Sequence, residues 1–188
     1  MGKGPAWDAI GGLIVALGAY LSFEFQDQIL HNRLHRLEQD KGRLTEHDQR
    51  LGDMLASTFD ESTQRFLRDH SFGSPFDGER TKPLDRLSYT WEGVDHQFDD
   101  PNLQEKAKAV LDANEALVHK IALSVEMADN YPNYHYSVPS REERANDSFE
   151  QHTVDAISEI HALTRALLKA YEAFRLEFRS RKRAIQHS

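Results

Sequence analysis

The chain has 188 residues, 39% of them hydrophobic and 29% charged, with a net charge of −8. That length suits one folded body plus an appendage, and the apolar fraction is too high for a disordered chain. The absence of cysteine excludes disulfide frameworks, cysteine-based zinc sites, iron–sulfur clusters and thiol nucleophiles. The acidic balance argues against a nucleic-acid partner, because phosphate binding needs a surplus of cations.

The run 9–23, AIGGLIVALGAYLSF, carries no charge, and Trp7 and Tyr20 stand near its ends, where amphipathic rings favour a membrane interface. It reaches the roughly 20 residues of a bilayer span only when Pro5 to Phe25 are counted. The pattern predicts an N-terminal membrane anchor over 1–25, with packing inside a bundle or against a partner as the alternative. A secretory signal is disfavoured, since Lys3 is the only base ahead of the run and no small-residue cleavage site closes it. Arg33, Arg36, Lys41 and Arg43 follow the run, so the positive-inside rule predicts a single pass through the inner (cytoplasmic) membrane with the bulk of the chain in the cytoplasm.

From Glu24 to about His70, the residues Leu30, Leu34, Leu37, Leu44, Leu51 and Leu55 recur at the alternating spacing of a coiled-coil seam. Lys41 and Asp48 occupy two seam positions, and Gly42 followed by Thr45, Glu46, His47 and Asp48 reads as a place where one helix ends and another is capped. Ser71 to Pro83 is rich in Gly, Pro and Asp and predicts a loop, followed by a short helix holding Leu84, Leu87 and Trp91 and closed by Phe98. Asp100-Pro101 predicts a helix start, because the carboxylate accepts from free backbone N–H groups and proline is tolerated in the first turn. Leu103, Ala107, Val110, Asn114, Leu117, Ile121, Ser124 and Ala128 then keep heptad spacing to about Asp129.

Asn130 to Asp147 reads as a loop of about 18 residues, longer than most helix connections. Its Tyr131, Tyr134, His135 and Tyr136 form either a recognition surface or a cover for the open end of the bundle. A last helix is expected from near Asp147-Ser148 to about Arg183, with Ile157, Ile160, Thr164, Leu167, Tyr171, Phe174 and Phe178 on one face. The run from Arg179 to Arg183 places positive charge at its C-terminus, where the macrodipole favours it, and reads as a solvated helix end. The expected fold is all-α: an elongated antiparallel bundle of three long helices and one short one over 26–188, behind an apolar N-terminal helix.

Two segments carry a resemblance. Trp7, Ala9, Ile10 and Gly11 with Leu17 and Gly18 look like a membrane-entering opening. Trp91, the segment from Phe98 to Leu103, Ser137 to Pro139, and Ala170 to Phe174 make up a second pattern. Together they resemble a loosely defined group of uncharacterised bacterial helical proteins over about two thirds of the chain. The resemblance implies a helical fold and an N-terminal membrane helix, and carries over no catalytic residue.

Several constellations bear on chemistry. His31 and His35 share a helix face with Glu38 one turn on, but two histidines do not make a metal site. His152, Asp155, Glu159 and His161 lack the Glu-x-x-His pattern that di-iron bundles need. Arg65 and His70 resemble the arginine-four-histidine spacing of the HEPN helical ribonucleases, in which the pair would stabilise phosphate charge and assist proton transfer, although Phe66 stands where that family usually has a polar residue. No catalytic, cofactor-binding or metal residue is assigned and no cofactor is expected. The expected function is a membrane-anchored helical interaction or scaffold module that engages a protein partner or itself, with no nucleic acid. The alternative is a helical ribonuclease or metal-dependent effector of a stress or phage-defence system.

Overall fold

A computed structural model describes residues 44–91, 93–128 and 134–186. The apolar run at 9–23, the seam residues Leu30, Leu34 and Leu37, the pair His31 and His35, and Tyr131 lie outside them. The described body is mainly helical: α1 (Glu46–Thr58), α2 (Glu61–Asp69), α3 (Lys82–Thr90), α4 (Pro101–Ser124), α5 (Arg141–Asn146) and α6 (Gln151–Gln186). Strands β1 (Phe76–Asp77), β2 (Glu126–Met127) and β3 (His135–Ser137) form a small antiparallel sheet in the order β1-β3-β2.

The helix expected to run as far as His70 is cut into two. Thr45 begins α1 as the sequence suggests, its hydroxyl accepting from the Asp48 N–H at 3.0 Å. The chain leaves the helix at Phe59, whose fully buried ring packs edge-on against Tyr171 at 4.7 Å. Asp60 then starts α2 by accepting from the backbone N–H and the hydroxyl of Thr63 at 2.8 and 2.7 Å. Burying one large ring and capping a second helix outweighs continuing the leucine period.

The centre of the body is the antiparallel pair α4 and α6. The direction follows from two ion pairs, Arg181 with Asp100 at one end and Lys120 with Glu159 towards the other. Between them Leu103, Val110 and Leu117 of α4 and Ile160, Leu167 and Phe174 of α6 are fully buried. Each contributes about 1.5–3 kcal/mol relative to exposure. At 1.5 Å per residue, the 36 residues of α6 extend roughly 54 Å.

Asn114 is the polar member of the α4 seam and is fully buried. Its amide donates to the Leu84 carbonyl at 3.0 Å and the Ser88 hydroxyl at 2.9 Å, which sets the position of α3 on α4. Leu84, Leu87 and Trp91 are buried as expected of the short helix, and Phe98 stacks on Trp91 at 6.0 Å.

The sheet corrects two expectations. Helix α4 stops at Ser124 rather than near Asp129, because the residues after Val125 pair with β3: Met127 sits opposite Tyr136, and the Ala128 N–H donates to the His135 carbonyl at 2.8 Å. The segment read as one long loop from Asn130 to Asp147 contains β3 and the short helix α5. The buried Glu143 ties α5 to the start of α6, accepting from the backbone N–H of Ser140 at 2.7 Å and of Glu150 at 2.8 Å.

Candidate functional site

Arg65 and His70 line a single open groove of about 790 Å³, together with Arg80 and His135. Its walls also carry Glu61, Asp69 and Asp77, so the carboxylates outnumber the guanidinium groups and the groove is not basic. Arg65 is paired with Glu61 at 3.3 Å, one turn earlier on the same helix.

The His70 ring is packed rather than presented. Phe66 stacks on it at 5.1 Å, and Phe72 and Phe76 meet it edge-on at 5.1 and 5.4 Å. Burial among these rings holds its pKa below the ordinary histidine value, with the positive charge of nearby His161 adding in the same direction and the hydrogen bond to Ser74 opposing. His70 Nε2 lies 3.1 Å from the Ser74 carbonyl, which can only accept, so that nitrogen carries the proton. Phe72 reaches the cluster with a positive φ of 53°, unusual for a bulky residue, and its full burial offsets the strain. The groove therefore joins Arg65 and His70, but one is ion-paired and the other serves an aromatic cluster.

The other sequence constellations are drawn apart into structural contacts. His161 bonds the Ser71 carbonyl at 2.9 Å, His152 lies 3.3 Å from Glu150, and Glu159 pairs with Lys120. Among the described residues no group of three histidine or acidic side chains is arranged to hold a metal.

The segment Phe98 to Pro101 proves to be a junction. Asp48, buried in α1, accepts from the Asp99 and Asp100 N–H groups at 2.7 and 3.2 Å, while Asp100 caps α4 through the N–H groups of Asn102 and Leu103. The Gln97 carbonyl accepts from His47 at 2.9 Å. The C-terminal bases expected to be solvated partly serve the same junction: Arg181 pairs with Glu177 and with Asp100, and Lys182 reaches Asp53 at 3.5 Å. The seam position of Asp48, a weakness by periodicity alone, anchors a loop 51 residues away.

A second concavity differs in chemistry. A groove of about 300 Å³ lies between α3 and the last turns of α4, lined by Leu84, Val118, Ile121, Ala122, Val125 and Tyr136, with Thr81 and Asp85 its polar members. Desolvation raises the Asp85 pKa. One turn beyond Asp85 on α3, Tyr89 is 78% exposed. Of the loop rings named from sequence, Tyr136 packs towards Phe76 at 6.3 Å and forms part of this wall, whereas Tyr134 is 71% exposed. The strip of Val118, Ala122 and Val125 beside the α4 seam is a signal the sequence carried and the heptad reading passed over.

Comparison with protein families, with curated proteins and with solved structures found no match for this chain.

Proposed function

We propose that this chain is a membrane-anchored helical interaction module, held by the apolar run at 9–23, with an elongated antiparallel bundle facing the cytoplasm and engaging a partner protein. The reading is carried by the apolar groove between α3 and α4. Leu84, Val118, Ile121, Ala122 and Val125 supply its lining, and exposed Tyr89 stands one turn beyond it. A half-open apolar trough flanked by an exposed tyrosine suits the apolar face of an amphipathic segment, which binds by placing residues at i, i+3 or i+4 into such a trough.

Self-association through the leucine seam is narrowed by burial. Leu44, Leu51 and Leu55 are within the body's own core, leaving Leu30, Leu34 and Leu37 for contact with a second copy. Among the described residues no helix is long and apolar enough to cross a membrane, so anchoring rests on 9–23.

Two measurements test the reading on the full chain. A photo-crosslinking side chain at Ala122 in native membranes should give one discrete adduct, absent when the label is at Lys108; equal or no crosslinking at both removes the groove. Membrane fractionation should leave the chain in the pellet until detergent is added, and recovery in the soluble fraction removes the anchor. The ribonuclease alternative is tested by Arg65→Ala and His70→Ala, which on the present reading leave any RNA cleavage by the preparation unchanged.

A further inference from the structure

A third concavity, independent of the apolar groove, runs between α2 and the C-terminal half of α6, with a volume of about 650 Å³. In a chain of net charge −8, its walls carry Arg68, Arg165, Lys169, Arg175 and Arg179 against Glu61 and Glu172. Glu61 already pairs with Arg65. Arg68, Arg165, Lys169 and Arg179 form no ion pair with a carboxylate among the described residues. Arg175 lies over the Tyr171 ring at 5.7 Å and donates to its hydroxyl at 2.9 Å, which fixes its position in the wall.

The cations fall into two sets. Phe59 packs on Tyr171 and Phe72 on His161, so the stretch containing α2 runs antiparallel along α6 and brings Arg68 to the level of Arg165 and Lys169. Arg175 and Arg179 follow at a distance of roughly 15 Å along the helix axis. Arg165 with Lys169 and Arg175 with Arg179 are like-charged i,i+4 pairs, each mildly destabilising to a bare helix. Such placement is not selected by folding, and an anion in the groove would reverse its sign. Arginine dominates the set, and its planar fork suits phosphate oxygens.

We infer that this groove binds a soluble oligophosphate, a short chain of phosphate groups lying along α6, with Arg68, Arg165 and Lys169 gripping one end and Arg175 and Arg179 the other. A volume of about 650 Å³ is within the range of small-ligand sites. Single-stranded nucleic acid fits less well, because the one aromatic ring lining the groove, Tyr171, is buried and covered by Arg175, leaving bases no face to stack on. A lipid surface also fits less well, because the cations line a trough and the apolar lining residues, Ala56 and Leu168, are themselves partly buried.

The test titrates the full chain, in uncharged detergent where needed, with sodium tripolyphosphate by calorimetry at low and at physiological salt. Saturable binding that weakens as salt rises is expected, because screening acts on exposed charge. The variant carrying Arg68→Gln, Arg165→Gln and Lys169→Gln should lose affinity by about tenfold or more, while Lys108→Gln, on α4 outside the groove, should bind as the parent does. All these side chains are exposed, so circular dichroism of the variants should be unchanged. No saturable binding, or equal loss in Lys108→Gln, overturns the inference. So does binding seen only with vesicles containing phosphatidylglycerol, or only with a single-stranded oligonucleotide, because each assigns the cations to another ligand.

Discussion

Replacing Gly52 by alanine sets two effects of known size against each other. Gly52 lies inside α1, where alanine is favoured by about 1 kcal/mol on helix propensity. A Cβ built there, however, would stand 2.1 Å from Cε2 and 2.3 Å from Cζ of Phe178. Ordinary carbon contacts begin near 3.4 Å, so the ring must retreat by more than an ångström. Phe178 is buried and stacked on Phe174 at 5.9 Å with only 10° between the planes. Displacing it within the core costs about 1–3 kcal/mol as overpacking, and swinging it into water costs a similar amount in lost burial. Set against the propensity gain, the net expectation for Gly52→Ala lies between no change and a loss of about 2 kcal/mol, or up to roughly 8 °C in Tm for a body of this size. Urea and thermal denaturation of the full chain, followed by circular dichroism at 222 nm, would measure it. In a Phe178→Leu background, which removes Cε2 and Cζ and leaves only the Cδ2 position, at 2.7 Å, the loss caused by the same substitution should shrink. If Gly52→Ala stabilises the parent chain by the full propensity gain, the close approach of α1 to α6 is wrong.

Four further outcomes follow from buried polar groups. Asp48→Ala removes the acceptor of two backbone N–H groups and should cost about 2–3 kcal/mol, with hydrogen exchange accelerating at the Asp99 and Asp100 amides above all; unchanged exchange there refutes the anchoring role. Thr164 is buried with no partner for its hydroxyl among the described residues, so Thr164→Val should stabilise by about 1 kcal/mol, measured as a rise in the urea midpoint. The side-chain hydrogen bond from Thr153, with the backbone N–H bonds of Glu150 and Ser140 and the Ser140 hydroxyl, lowers the Glu143 pKa from 4.5 to about 2 against the opposing pull of burial. A folded pKa below the unfolded one means that this stability is complete above pH 4.5 and is lost as pH falls towards 2; carboxyl NMR titration should show the low value, and Thr153→Val should raise it. His70, with a lowered folded pKa, favours the folded state fully above pH 6.5 and loses that contribution as pH falls below it, so His70→Phe should flatten the pH dependence of Tm between pH 7 and 5.

Periodicity located the helices that pack lengthwise. From Leu103 to Ile121, the heptad positions of α4 are buried, as are Ile160, Thr164, Leu167, Tyr171, Phe174 and Phe178 of α6, because a residue returning every three or four positions on a rod meets the same neighbour throughout. Caps were equally legible: Thr45 and Asp100 bond the N–H groups their positions imply. The division between α1 and α2 was not, since leucine spacing carries no information that Phe59 finds Tyr171 across the body. The small sheet was not either, because strands of two or three residues show no alternation and exist through pairing with segments 9 to 60 residues away.

The same contrast holds for the sites. Arg65 and His70 were noticed by spacing, yet their local roles depend on Glu61 and on the rings of Phe66, Phe72 and Phe76. The basic groove was invisible as a motif, since Arg68 and Arg165 are nearly a hundred residues apart and the net charge points the other way. Sequence alone determined the helical class, the apolar N-terminal run and the buried face of each long helix, because those depend on neighbours one turn away. Tertiary packing decided which polar residues became struts and which charges gathered unpaired, because a side chain's partner is set by what another element brings against it.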